Sequence, residues 1–168
     1  LGLISSSSCF TIIAIQEVIV ATMCANWPMG MAFGCGFQSF FPPGTLGAMH
    51  VSGIGKALLA WLPLSRVARI IDDRGLARFT AQSHTDLASL SADLTETRAR
   101  GYAIDDQERA EGMRCIAAPI FNAHGEPVAG LSVSGPAFRV GLSDAARIGA
   151  LVCAAADKVT EATGGVRP

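Results

Sequence analysis

No stretch of the chain stays apolar for the ~20 residues that a membrane-spanning helix requires. Ile12 to Ile15 is followed at once by Gln16 and Glu17, and Val18 to Ala21 is too short. Charge is also scarce. Only 16% of residues are charged, and 13 basic side chains balance 14 acidic ones for a net charge of −1. No basic run of the kind that grips a phosphate backbone is present, so this chain is not expected to contact nucleic acid itself. The five cysteines (Cys9, Cys24, Cys35, Cys115 and Cys153) are odd in number and form no CxxC pair. Scattered mostly in apolar runs, they fit reduced core thiols in a cytoplasmic protein better than a disulfide framework. Leu1 to Ser8 lacks the basic start and cleavage site of a signal peptide and reads as the tail of a preceding segment.

Hydrophobic residues make up 50% of the 168 positions. That is enough for one domain with one sizeable core, and it leaves apolar surface for a partner subunit. Cys9 to Ile15 and Val18 to Cys24 are rich in β-branched residues and predict two strands joined by a tight turn at Gln16-Glu17. Met29 to Phe37 is a third candidate strand, loosened by glycines, and Phe40 to Gly44 is a loop. His50 to Leu62 predicts a helix stopped by Pro63, and Leu64 to Asp73 a second. Thr85 or Asp86 caps a third helix, which buries Leu87, Leu90 and Leu94 and ends at Gly101. Tyr102 to Asp105, Cys115 to Phe121 and Val128 to Val133 predict three further strands. A last helix, capped by Ser143, presents Ile148, Leu151, Val152, Ala155 and Val159 on its apolar face. Strands, helices, strands and a helix in that order favour an antiparallel α+β sheet over a doubly wound fold.

Few residues suggest chemistry. Ser52-Gly53-Ile54-Gly55 opens a helix whose first amides have no internal partner. It is either a capped helix with glycines for tight packing or a tip where a carboxylate could rest on backbone N–H groups. Asp105 either caps a loop or accepts a hydrogen bond from a ligand hydroxyl. Cys115 reads as a core thiol or a pocket residue, with Met113 on the same face of the strand. Ser132 and Ser134 share a face, and their hydroxyls need partners if buried, either from the sheet or from a ligand. Lys56 reads as half of an ion pair, His50 as structural, and His84 and His124 as surface residues in loops.

Three blocks carry a more specific signal: His50 to Ala60, Gly101 to Phe121 and Ala129 to Pro136. In this order and at this spacing they resemble the effector-binding domain of IclR-type bacterial transcriptional regulators. The resemblance implies a GAF-like domain, a curved antiparallel sheet of about six strands with helices packed against it. It also implies a small-molecule effector, in particular a carboxylate, held by the amides of Gly53 and Ile54 and faced by Asp105, Met113, Cys115, Ser132 and Ser134. An aspartate beside an anion needs a proton between them, which points to a hydroxy, oxo or hydrated-aldehyde acid. Small residues at Ser39 and Gly47, where the family has larger ones, would widen the pocket mouth, and Ile54 would narrow its floor. The resemblance further implies homodimers or homotetramers, no cofactor, no resident metal, and DNA contact only through a winged-helix domain upstream of residues 1–168. The rival readings are a small hydrolase using Cys115 or Ser132 with His50, a zinc site from His50, Asp105 and Cys115, and a ligand-free dimerisation module.

Overall fold

The computed structural model describes residues 47–168 in full and, before them, the strand backbones at 9–14 and 20–23. Five strands form one antiparallel sheet: β1 (Cys9–Ala14), β2 (Val20–Met23), β3 (Ala103–Asp106), β4 (Met113–Phe121) and β5 (Pro127–Pro136), in the spatial order β2-β1-β5-β4-β3. The expected turn at Gln16-Glu17, the strand over Met29 to Phe37, the loop at Phe40 to Gly44 and Ser39 lie outside the described residues. The α+β architecture is the expected one.

Alternation along β4 and β5 separates two faces. Ala118 and Ile120 of β4 and Leu131 of β5 form one apolar face with Val152 and Ala156 of α4 (Ala145–Ala162). Ala117, on the opposite face, clusters with Ile54, Ala57 and Leu58 of α1 (Gly53–Leu59). Behind α1 stand α2 (Leu64–Arg74) and α3 (Leu87–Arg100), with Leu59, Val67, Leu90 and Leu94 in a second cluster. The sheet is thus covered by a helix on each side, which accounts for its long apolar strands.

The seat of α1 depends on two glycines. A Cβ on Gly53 would lie 2.8 Å from Cys115 Sγ and 3.3 Å from Ala117 Cβ, and one on Gly130 would lie 2.6 Å from Ile54 Cγ2. Helix and sheet therefore meet closer than any larger residue allows at these points.

Several ends differ from expectation for local reasons. The first helix stops at Leu59, not Leu62. Trp61 and Leu62 turn more tightly onto the carbonyls of Leu58 and Leu59, at 3.2 and 3.1 Å, before Pro63. Asp86, not Thr85, caps α3, its carboxylate accepting from Ser89 N at 2.8 Å. Ser143 does not cap α4, because Leu142–Asp144 forms a 3-10 turn that runs straight into it. Leu151 is 48% exposed. The buried stripe of α4 passes instead through Gly149, Val152, Ala156 and Thr160.

Gly130→Ala should destabilise the domain by about 1–3 kcal/mol in urea unfolding. The same substitution in an Ile54→Ala background should cost clearly less, because the clashing methyl is gone. Equal costs in the two backgrounds would disprove the close seat.

Candidate functional site

At the start of α1, Ser52 has extended backbone angles and its hydroxyl accepts from Gly55 N at 3.4 Å. Gly53 and Ile54 are the first two helical residues, so no carbonyl of their own helix faces their amides. Among the described residues neither amide has another acceptor. Both side-chain positions are buried, and Ile54 packs into the core, so what these residues offer a ligand is backbone.

The sheet brings the remaining candidates into register beneath this tip. Asp105 pairs with Cys115, and Cys115 with Ser134; one step along, Ala117 pairs with Ser132. Side chains at paired positions share a face, so Asp105, Cys115 and Ser134 form a row across three strands. Ser132 is next to it, and Met113, at the start of β4 opposite Pro136, extends the same face. Cys115 neighbours Ser134 and Ser132 on this face of the sheet, and its thiol packs against Gly53. All seven residues are thus brought to one place. Because Gly53 and Cys115 are in contact, a ligand here would lie beside that contact, not between the two residues.

Burial dominates the electrostatics. Asp105 is 8% exposed and its carboxyl is pushed up to about 6, chiefly by desolvation and then by the nearby Glu108 carboxylate, against the pull of Glu108 N–H and Lys56. Oδ1 of Asp105 accepts that N–H at 2.9 Å. Burial also pushes the Cys115 thiol up. A thiol kept neutral is a packing and hydrogen-bonding group, the reverse of an activated nucleophile.

Lys56 is the hub next to the row. Its side chain is fully buried, and Nζ donates to Asp93 Oδ2 at 2.6 Å, Glu108 Oε1 at 2.5 Å and the Ile104 carbonyl at 2.5 Å. This is the ion pair expected of Lys56. It joins α1 to α3, to β3 at Ile104 and to the loop after that strand. Glu108 is also fixed through its backbone, since its carbonyl accepts from the Ser83 hydroxyl at 2.7 Å. The bend before it places Gln107 at φ 63°, a strained angle for a side-chain-bearing residue.

His84 is not the surface residue expected. Its side chain is 19% exposed, with Nε2 3.5 Å from Asp93 Oδ2. His84, Asp93 and Glu108 place donor atoms within 4.8 Å of one another, but the cation between the two carboxylates is the Lys56 ammonium. His50, Asp105 and Cys115 form no such group among the described residues. His50 is buried, with Nε2 2.9 Å from the Ala77 carbonyl. Asp93 and Glu108 escaped the sequence reading because they lie 37 and 52 residues from Lys56. The one signal that could have found them is a lysine on an otherwise apolar helix face.

An open apolar groove of about 530 Å³ between α1, α2 and α3 is lined by Leu59, Leu62, Leu64, Val67, Leu94 and Arg98 among others, and by none of the seven candidates.

Comparison with known proteins decides the family. Residues 42–161 match the model for the bacterial transcriptional regulator IclR C-terminal region. The chain belongs to the IclR family. It is 50% identical over 131 residues to the HTH-type transcriptional regulator BhcR of Paracoccus denitrificans, covering 78% of this chain and 46% of BhcR. The chain therefore spans about half the length of that relative. The crystal structure of Agobacterium tumefaciens repressor BlcR superposes with a TM-score of 0.80 at 25% identity, covering 96% of this chain and 62% of BlcR. The PobR inducer-binding domain from Acinetobacter, solved as a double mutant with 3-hydroxybenzoic acid, shares the fold with a TM-score of 0.73 at 24% identity, covering 92% of this chain and 89% of that one. An IclR-type C-terminal domain with a GAF-like sheet is what the fold shows.

Removing the hub cation should be severe. Lys56→Met leaves Asp93 and Glu108 without it and should cost about 3–5 kcal/mol at pH 7.5. The loss should be smaller at pH 5 than at pH 7.5, because burial pushes the Glu108 carboxyl up and removing Lys56 takes away the charge that pulls it down, so the orphaned carboxylate is more readily neutralised. Urea melts at both pH values measure this. Asp105 should show the opposite sign. Its folded-state carboxyl titrates above its unfolded value of 3.8, so the native state holds more protons, and the cost of ionising it accrues as pH rises from about 4 through 6. Asp105→Asn should therefore gain about 2 kcal/mol on wild type between pH 4.5 and pH 8. A stability difference that does not change with pH would show that the carboxyl is not held this way.

Proposed function

We propose that this chain is the sensing half of an IclR-type regulator, and that it binds a small organic acid where the α1 tip meets the Asp105, Cys115 and Ser134 row. The carboxylate rests on the amides of Gly53 and Ile54. The ligand's polar end meets Asp105, Ser132 and Ser134, and Met113 and Cys115 supply the less polar wall. The observation that carries this reading is the pair of amides at the helix start, unpaired among the described residues and held against a row of polar side chains from three strands. The hydroxy acid bound by the PobR inducer-binding domain supports the chemistry on the same fold. Ligand binding shifts the population of subunit arrangements in a dimer or tetramer. A DNA-binding domain elsewhere in the full-length cytoplasmic regulator then reads that arrangement.

The domain carries no catalysis in this reading. Its thiol is pushed up, not down, and the His50 ring nitrogen is engaged by the Ala77 carbonyl. Among the described residues no helix is long and apolar enough to cross a membrane.

Thermal-shift measurements with matched acids test the proposal: glycolate against acetate, lactate against propionate, and 3-hydroxybenzoate against benzoate. At least one hydroxy acid should raise the melting temperature progressively, approaching about 2.7 kcal/mol of stabilisation at a hundredfold excess over its dissociation constant. Its deoxy partner should do less. A flat response to the whole panel would leave a domain without a small-acid effector.

A further inference from the structure

We propose that a carboxylate effector enters this site together with a proton, which Asp105 takes up and holds for as long as the ligand stays bound. The inference rests on the sensing function proposed above and deepens it.

The argument starts from a charge count. Asp105, Glu108 and Asp93 bring three carboxylates around one fully buried cation, Lys56. Each of the three protons on the Lys56 ammonium already has an acceptor, at 2.5 to 2.6 Å, so Lys56 cannot turn to meet an arriving anion. The neighbouring cations are engaged as well. Arg100 donates to the Tyr102 carbonyl at 2.7 Å and reaches Asp93 at 3.3 Å. Arg114 binds Asp106 at 2.6 Å and the carbonyls of Ala137 and Val140. Arg109 lies over the Phe79 ring at 4.1 Å. His84 faces Asp93. The remaining titratable neighbour, the Cys115 thiol, feels the Asp105 charge and is itself kept neutral.

An effector carboxylate on the α1 amides thus adds a fourth negative charge beside Gly53 and the paired Asp105 and Cys115, where the neighbouring cations among the described residues are already engaged. Two like charges in a partly dry site cannot both persist cheaply, and neutralising the weaker acid is the available relief. Asp105 is the group placed to be neutralised, because Glu108 and Asp93 are both ion-paired with Lys56 whereas Asp105 forms no ion pair among the described residues and faces the row itself. It is 8% exposed, and burial already pushes its carboxyl up to about 6 before any ligand arrives. A simple carboxylic acid effector ionises far below that and stays an anion. The proton comes from solvent, no bond within the effector changes, and the neutral carboxyl can both donate to the ligand and accept from it. A regulator built this way reports the acid more sensitively as its surroundings acidify.

Isothermal titration of the full chain with sodium glycolate and sodium lactate tests this, in phosphate and in Tris at pH 6, 7 and 8. The apparent dissociation constant should be nearly flat below pH 6 and weaken towards about tenfold per pH unit above 7. At pH 8 the heats in the two buffers should differ by close to one proton's ionisation enthalpy, in the sense of uptake. Asp105→Asn, neutral at every pH and checked for folding by circular dichroism, should lose both the pH slope and the buffer dependence. Equal heats in the two buffers at pH 8 would overturn the proposal on wild-type protein alone. So would a slope that survives Asp105→Asn, or loss of binding in a folded Asp105→Asn at pH 6, which would mean that the ligand needs the ionised carboxylate. If neither acid binds wild type at any pH, this inference falls, and the sensing function falls with it only where the whole thermal-shift panel is flat as well.

Discussion

The contact of α1 with the sheet is fixed by one buried ammonium. Lys56 reaches from the middle of a seven-residue helix to α3, to the Ile104 carbonyl of β3 and to the loop beyond that strand. Dehydrating that charge is unfavourable on its own, and the structure offsets the cost by giving each proton an oxygen. The geometry that results is narrow. With Lys56 tied down, the helix start has one position over the strands, and only glycines at 53 and 130 allow that position without collision. Packing and electrostatics therefore act on the same short helix and point it at the same patch of sheet.

From this follows the character of the patch. A helix this short cannot be stable for its own hydrogen bonds, so its place is set by tertiary contacts. Its first residue, Gly53, packs on a row assembled from β3, β4 and β5, whose members lie far apart in the chain and meet only through antiparallel register. The row is less apolar than the rest of the sheet. Burial and the Glu108 carboxylate push the Asp105 carboxyl up, burial pushes the Cys115 thiol up, and Ser132 and Ser134 lie beside that thiol on the same face. A carboxylate buried in this way is a burden on the fold at neutral pH, the kind of local cost that a functional role would explain.

The loop after β3 links the two themes. Glu108 meets Asp105 through its amide, Ser83 through its carbonyl and Lys56 through its side chain. One residue thereby ties the site to α1 and to the segment before α3, and the strained Gln107 beside it is held by these surrounding bonds.

Much of this was legible in the chain itself. Alternating β-branched runs, a cap at Thr85 or Asp86 and the Gly101 stop are local signals, each determined by side-chain and backbone chemistry over a few residues. The order of elements gave the antiparallel α+β class by the same means, and three spaced motifs identified the family and the seven candidate positions. Other features depended on the tertiary structure. Leu151 reads as a core residue from its spacing, but α4 rotates so that Gly149 packs against the Tyr102 ring, and Leu151 turns outward. His84 reads as a loop histidine until α3 brings Asp93 beside it. Lys56 announces that it needs a partner, but Asp93 and Glu108 are chosen by long-range docking that no local pattern records. Local chemistry decides which segments become helix or strand. Which charges are buried together, and so which carboxyl holds a proton, is decided only when distant segments exclude water from one another.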